Sequence, residues 1–315
     1  MDKIKLGISS CLLGEKVRYD GGHKLDHFLR DSLGPYVEWV PVCPEVECGL
    51  PVPREAMRLV GDPAQPRLVT QRTGVDLTEQ METWAARRVK ALAAEDLCGF
   101  VFKSKSPSSG LERVKVYGPS GMAVKTGVGL FAAAFTRAFP LLPVEEEGRL
   151  CDPELRESFV ERVFVMQRFR ALQTGGRTLG RLVEFHARHK LLLLAHSTVH
   201  YRELGRLVAA GRTLAPRALL EQYAEGLMAG LRLRATRAKH VNVLQHALGY
   251  FKKQLGADEK QEVAEVLEHY RQGFVPLVVP ITLLNHFVRR YDQAYLREQH
   301  YLQPHPVELA LRNHA

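Results

Sequence analysis

Short apolar runs alternate with helical patterns over about the first 150 residues of the chain. The runs KIKLGISS, YVEWVPV and LCGFVFKS end at Gly, Ser or Pro, which is typical of buried parallel strands. Between them, LTEQMETWAARRVKALAAE and GVGLFAAAFTRAF repeat apolar residues at helical spacing, with Asp76 and Thr78 as candidate caps of the first helix. This alternation predicts an α/β domain over residues 1–150 with a mainly parallel, Rossmann-like sheet.

The strand patterns stop near residue 152, after the acidic run Glu145–Glu147. Seven later segments repeat apolar residues every three or four positions, which indicates helices. The segments are DPELRESFVERVFVMQRFRAL, LGRLVEFHARHKLLLLAH, YRELGRLVAAG, APRALLEQYAEGLMAGL, TRAKHVNVLQHALGYFKKQL, DEKQEVAEVLEHYRQG and PLVVPITLLNHFVRRY. The pattern predicts an all-α domain over residues 151–315.

The composition is that of a globular protein, with 45% hydrophobic and 25% charged residues in a chain of 315. The sequence contains no run of about 18 apolar residues, so we expect no membrane span. The N-terminal residues also lack the apolar core of a signal peptide. These features together predict a cytoplasmic protein.

Positive charge is concentrated in the second half. Residues 1–150 contain 20 Lys and Arg against 19 Asp and Glu, whereas residues 151–315 contain 24 against 16. An excess of this kind either solvates the helix surfaces or binds a polyanionic partner. In a nucleic acid, such residues contact phosphates and give affinity without base recognition. The densest basic segment contains Arg232, Arg234, Arg237, Lys239, Lys252 and Lys253.

Five cysteines form no pattern typical of a disulfide framework. Cys11 follows the first predicted strand, and Cys43 and Cys48 follow the second in the proline-rich PVCPEVECGLPVPRE, which predicts a stiff, non-helical loop. If the strands are neighbours, the three thiols lie on one rim of the sheet and form a candidate metal or catalytic site, although a single free Cys is often a small buried hydrophobe. We expect Cys98 to be a core residue and Cys151 to be incidental.

Two further loops at this rim are polar. One is RYDGGHK, which contains Asp20. The other, residues 103–110, is called the serine loop here, and its hydroxyls, amides and ammonium groups suit an anionic or heterocyclic ligand, unless it is only a solvated turn. Its candidate residues are Lys103, Lys105, Ser106, Ser108 and Ser109.

Histidines near one face of a predicted helix form a second candidate metal site in the helical half. They are His186, His189, His196 and His200. Because no nearby carboxylate or cysteine joins them in sequence, ordinary core or surface histidines are the favoured interpretation.

At these loops the chain resembles a known family. SSCLLGEKVRYDGG, PVCPE, GLPVPRE and KSKSPSSG are similar to motifs of the thiouracil desulfidases over roughly residues 4–148, and FHARHKLLLLAHS and TRAKHVNVLQHALGYFKK resemble the YbgA domain. The resemblance implies a [4Fe–4S] cluster with three cysteine ligands and one open iron. It also implies that the fused protein removes sulfur from 4-thiouridine in tRNA, giving uridine and sulfide without net electron transfer.

The resemblance implies two cluster ligands directly, because Cys11 and Cys43 match cysteines of the family motifs. The third ligand of stand-alone desulfidases lies in S-P-S-C-G, where this chain has Ser109. We expect Cys48 to replace it, with Cys98 as the alternative.

In this interpretation Glu45 activates water or moves protons, and Asp20 and Ser106 are further catalytic candidates. Lys103, Lys105 and the remaining serines of the serine loop, Ser108 and Ser109, are expected to bind the pyrimidine or a phosphate. Alternatives are a desulfidase of free thiouracil or thionucleotides, a non-catalytic iron–sulfur sensor that binds nucleic acid, and a catalytic zinc site.

Overall fold

The computed structural model describes residues 3–174, 176 and 178–314. It divides into two compact units, residues 1–155 and 156–315. Among the described residues, the strands are β1 (Ile4–Ser9), β2 (Val37–Val42), β3 (Met57–Asp62), β4 (Gln65–Thr70), β5 (Phe100–Phe102), β6 (Val114–Tyr117), β7 (Ala123–Gly127) and β8 (Val144–Glu146). The first helices are α1 (Pro44–Glu47), α2 (Thr78–Leu92) and α3 (Leu130–Ala138).

The first sheet is parallel, as the sequence predicted. Its strand order is β2-β1-β5-β8, and all three neighbouring pairs are parallel. The register runs from Ile4 opposite Val37 to Ser9 opposite Val42, so β1 and β2 end side by side. The loops that follow these two strands therefore begin at the same edge of the sheet.

A second, mixed sheet was not predicted. Its order is β4-β3-β6-β7, with antiparallel pairs β3/β4 and β6/β7 around a parallel pair β3/β6. The sequence AVKTG of β7 is exposed at four of five positions, so it lacks the apolar alternation that marks a strand. Tertiary pairing with β6, and not local pattern, determines this strand.

Aromatic rings pack α2 and α3 against the parallel sheet. Phe100 and Phe102 of β5 stack with ring centroids 4.2 Å apart, and Phe135 of α3 lies 4.8 Å from Phe100. Trp84 of α2 joins the cluster through Phe131, at 5.2 Å. All four phenylalanines are fully buried, and aromatic contacts of this kind add about 0.5–1.5 kcal/mol per pair beyond area burial.

Two local expectations differ from the structure. The loop expected to be non-helical contains one helical turn, α1, because Pro44 occupies its first position, where a missing amide donor costs nothing. The N-cap of α2 is Leu77 and not Asp76 or Thr78, although the Asp76 carboxylate still accepts the Thr78 amide at 2.9 Å.

The seven predicted helices of the second half are confirmed, and one short helix is added. The helices are α4 (Pro153–Thr174), α5 (Leu179–His196), α6 (Thr198–Ala209), α7 (Pro216–Arg232), α8 (Arg237–Leu248), α9 (Ala257–Gln272), α10 (Val278–Arg290) and α11 (Ala294–Arg297). No helix in the described ranges is long and apolar enough to cross a membrane. Tyr223, Tyr301, Phe159 and Phe251 are fully buried.

Gly129 lets the serine loop lie against the N-terminus of α3. The amide of Phe131 donates to the carbonyl of Ser108 at 2.9 Å, and a Cβ at position 129 would lie 2.5 Å from that carbonyl. We therefore expect Gly129→Ala to displace the serine loop and to lower the free energy of unfolding by about 1–3 kcal/mol, as overpacking does.

Chemical denaturation measures this loss. Gly118→Ala in the same unit is the matched control, because its Cβ would make only an ordinary contact, 3.8 Å from the Met122 carbonyl oxygen. Equal stability of the two variants would contradict the close packing at Gly129.

Candidate functional site

Cys11 and Cys43 are brought together by the register of β1 and β2. Cys11 lies in a 3₁₀ turn, Ser10–Leu13, directly after β1, and Cys43 directly follows β2. Both are 8% exposed. The amide of Lys24 donates to the Cys11 carbonyl at 2.9 Å, which folds the polar loop after Gly14 back against this turn.

Cys48 lies one helical turn beyond Cys43, at the end of α1. Its thiol donates to the backbone carbonyl of Glu45 at 3.2 Å, and the Cys43 thiol donates to the Glu45 carboxylate at 3.5 Å. The four-residue helix therefore sets the spacing of both thiols and places Glu45 between them.

The serine loop meets the same carboxylate. Ser108 donates its hydroxyl to Glu45 Oε1 at 2.5 Å, and Ser106 Oγ lies 2.9 Å from Ser108 Oγ. Ser106 Oγ also accepts the amides of Ser108 and Ser109 at 3.3 and 3.2 Å, so it holds the loop in shape. A continuous chain of hydrogen bonds thus joins Ser106, Ser108, Glu45 and Cys43.

Arg54 is part of this site, and the sequence interpretation did not assign it a role. Its side chain is 7% exposed, with Nη1 donating to the Val17 carbonyl at 3.0 Å and Nη2 lying 3.8 Å from Glu45 Oε2. The Arg54 amide also donates to the Tyr19 carbonyl at 2.8 Å. Its place inside the motif GLPVPRE was the signal that could have identified it.

The two lysines of the serine loop, Lys103 and Lys105, differ in exposure and in binding partners. The Lys103 ammonium is bound to Glu147 Oε1 at 2.5 Å and to the Ser104 carbonyl at 3.1 Å. The Lys103 amide donates to Ser9 Oγ at 2.9 Å, which ties the loop to the end of β1. Lys105 is exposed and has a positive φ of 60°. Lys103 is therefore a fixed charge near Cys11, whereas Lys105 faces solvent.

The thiols are held in their neutral form by burial. Burial, with a smaller contribution from the Glu45 carboxylate, raises the pKa of Cys11 to about 11 and that of Cys43 to about 12. Burial also raises the pKa of Cys48. Lys103 opposes the rise at Cys11, and Arg54 opposes it at Cys43 and Cys48.

Other sequence candidates lie apart from this chain of hydrogen bonds. Asp20 is exposed, and its carboxylate accepts the Gly22 amide at 3.0 Å, which lowers its pKa and closes a turn. The amide of Cys98 donates to the Lys5 carbonyl at 2.8 Å, at the opposite end of β1 from Cys11, and Cys98 is buried. Cys151 is exposed.

In the helical unit, the four histidines are bound to protein groups. The partners are Tyr223 at 3.1 Å from His186, the Phe185 carbonyl at 2.7 Å from His189, Glu161 at 2.6 Å from His196 and Ser197 at 2.8 Å from His200. Within the described residues, no group of three or more His, Cys, Asp or Glu side chains is arranged to hold one metal ion. These contacts favour the interpretation of the four residues as core or surface histidines and not as metal ligands.

The basic segment of the helical unit is divided between the two ends of α8. Lys239 donates to the carbonyls of His196 and Arg234 at 2.7 and 2.6 Å, so its ammonium caps backbone. Lys252 and Lys253 are exposed beyond the far end of the helix, which is about 18 Å long. Arg232, Arg234 and Arg237 are exposed at its beginning.

Comparisons with known proteins match a different family to each of the two units. A family model described as 2-thiouracil desulfurase matches residues 6–147, and one described as a protein of unknown function, DUF1722, matches residues 190–306. YbgA of Escherichia coli (strain K12), itself uncharacterized, is 33% identical over 160 residues, which cover 50% of this chain and 94% of YbgA. Uncharacterized YbbK of Bacillus subtilis (strain 168) is 29% identical over 136 residues, covering 42% of this chain and 89% of YbbK.

Among solved structures, a [4Fe–4S]-dependent thiouracil desulfidase, TudS, is 31% identical, covers 50% of this chain and 99% of its own, and has a TM-score of 0.41. The chain thus belongs to the family of YbgA and joins a domain of the 2-thiouracil desulfurase family to a YbgA-like domain of the DUF1722 family.

Proposed function

We propose that this protein is an iron–sulfur desulfidase that removes sulfur from 4-thiouridine in tRNA, giving uridine and sulfide. The observation that carries the proposal is the partly buried chain of hydrogen bonds Ser106–Ser108–Glu45–Cys43, which places a carboxylate and hydroxyls beside clustered thiols. Membership of the first unit in the 2-thiouracil desulfurase family supports the reaction class. The cytoplasmic location stays a prediction.

The donor set suits a [4Fe–4S] cluster held by Cys11, Cys43 and Cys48. Each thiolate of such a cluster binds a different iron, so its ligands stand farther apart than those of a single zinc ion. Cys11 and Cys43 directly follow the adjacent ends of β1 and β2, and Cys48 follows one helical turn later, so the three thiols lie on neighbouring turns at one edge of the sheet. Arg54 and Lys103 supply positive charge that favours the thiolate forms the ligands require.

When bound, a cluster with three thiolate ligands supplies an open iron, a Lewis acid that prefers the sulfur of a thiocarbonyl to the oxygen of uracil. Glu45 accepts a proton from water aimed at C4 of the base, because its carboxylate is the buried acceptor beside the thiols. Ser108 donates to one carboxylate oxygen, and Arg54 lies beside the other, so the carboxylate keeps one orientation. Ser106 holds the serine loop in place.

The helical unit supports an RNA substrate through its charge, 24 Lys and Arg against 16 Asp and Glu in residues 151–315. The proposed contacts are the exposed Arg232, Arg234, Arg237, Lys252 and Lys253, and Lys239 supports the first group by binding the Arg234 carbonyl. Comparing turnover of thiolated tRNA with that of free 4-thiouracil tests the substrate. Efficient turnover of the free base alone would instead identify a thiobase desulfidase, and cluster binding without turnover would identify a sensor.

Glu45→Gln keeps the shape of the side chain and removes its charge. We expect the iron content to remain at the wild-type level while the turnover rate falls about 10²–10⁴-fold, because proton transfer and not ligation is lost. Iron analysis and single-turnover kinetics measure the two effects separately. Glu82→Gln, an exposed carboxylate on α2, is the control. A parallel loss of iron and rate would make Glu45 a structural residue.

Cys48→Ser is expected to abolish cluster binding, whereas Cys98→Ala is expected to leave it intact. Cys98 lies at the start of the sheet, and the six residues of β1 put it about 17–20 Å from the Cys11 end. Iron and sulfide content and cluster absorbance after anaerobic reconstitution measure the outcome. Adding Ser109→Cys to Cys48→Gly should restore the cluster, because position 109 holds the third cysteine of the stand-alone family motif. Loss of iron in Cys98→Ala, with iron retained in Cys48→Ser, would exclude Cys48 as a cluster ligand.

A further inference from the structure

The second sheet has one packed and one open face. Leu59 and Leu68, opposite each other on β3 and β4, are fully buried, as is Val116 on β6. Because neighbouring residues along a strand point to opposite faces, Lys115 and Tyr117 lie on the other face. Lys115 is exposed and Tyr117 is partly exposed, so this face of β6 is open.

The open face is positively charged. The chain contains no Asp or Glu between Arg113 and Val144, a stretch that includes both β6 and β7. Lys115 on β6 and Lys125 on the edge strand β7 are both exposed. Arg67 on β4 is paired with Asp76 at 3.4 Å, and the exposed Asp62 ends β3 on the same side as Arg58, so these two carboxylates offset part of the positive charge.

An aromatic ring lies among these cations. The guanidinium of Arg58 on β3 lies 5.2 Å from the centroid of the Tyr117 ring. Tyr117 is opposite Val60 in the parallel pair, so Arg58 and Tyr117 belong to adjacent strands. A basic surface with a partly exposed aromatic ring is the combination that binds single-stranded nucleic acid, with phosphates on the cations and a base against the ring.

The open face begins at the candidate site. β3 starts three residues after Arg54, and β6 starts four residues after Gly110, the last residue of the serine loop. Since β3 and β6 are parallel, both strands run from these site loops in the same direction. At about 3.3 Å per residue, Lys115 lies within about 17 Å of Gly110 along the chain.

We infer that the open face of the β4-β3-β6-β7 sheet binds the RNA backbone next to the thiolated base, with Lys115 and Lys125 contacting phosphates and Arg58 and Tyr117 stacking a neighbouring base. The inference rests on the proposed RNA substrate and adds a second contact surface, in the α/β unit. Its charge fits a polyanion, and its position beside the site loops fits the substrate strand itself.

The test compares two double variants of the full-length, cluster-loaded protein. Lys115→Ala with Lys125→Ala removes the cations of the open face, and Arg87→Ala with Lys90→Ala removes two exposed cations from α2 as the matched control. Binding of unmodified and thiolated tRNA is measured across salt concentrations. We expect the first variant to bind more weakly and its salt slope to fall by about 1 per lost phosphate contact, with the control unchanged.

A third variant, Lys252→Ala with Lys253→Ala, separates the two surfaces. A salt slope that falls in this variant but not in the open-face variant overturns the inference, as does equal competition by polyglutamate and RNA for the open face. Failure of the proposed function is recognised from turnover and not from binding, because wild-type protein would then not desulfurate thiolated tRNA. The binding comparison decides the inference in either case, with cluster absorbance and thermal unfolding as checks on each variant.

Discussion

The contacts of the Glu45 carboxylate hold the candidate site together. Ser108 donates to one oxygen at 2.5 Å, and the other lies 3.5 Å from the Cys43 thiol and 3.8 Å from the Arg54 guanidinium. Since the Glu45 and Arg54 side chains are 13% and 7% exposed, removing either would leave a poorly solvated charge, a loss of about 3–5 kcal/mol for fully buried pairs. The carboxylate therefore links α1, the serine loop and the loop of Arg54 into one arrangement.

This arrangement depends on where the strands of the parallel sheet end. Because Ser9 is opposite Val42, the turns that carry Cys11 and Cys43 begin at one edge. The serine loop reaches the same edge through β5, which pairs with β1, and Ser9 accepts the Lys103 amide there. Ligands bind at the carboxyl ends of strands in α/β sheets for this reason, since neighbouring loops can then contribute to one site.

Electrostatics divide the molecule into two kinds of surface. The candidate site buries its thiols and carboxylate, and its cations, Arg54 and Lys103, are held close to acidic partners. Exposed cations are also present in the helical unit and on the second sheet. A charge that is fixed beside a thiol changes the pKa of that thiol, whereas exposed lysines supply salt-dependent affinity for a polyanion.

Local sequence determined three strands of the parallel sheet, the seven long helices of the second half and the rim on which Cys11 and Cys43 lie, because apolar periodicity and strand-end chemistry are local signals. It also pointed to Glu45 and the serine loop through their motifs. Only the tertiary structure decided that Ser108 contacts Glu45, that Arg54 lies beside the same carboxylate and that Lys103 is bound to Glu147. The second sheet was decided in the same way, since β7 carries no apolar alternation and exists through its pairing with β6. These contacts join residues 9 to 63 positions apart, and such pairings depend on how the whole chain packs and not on any local pattern.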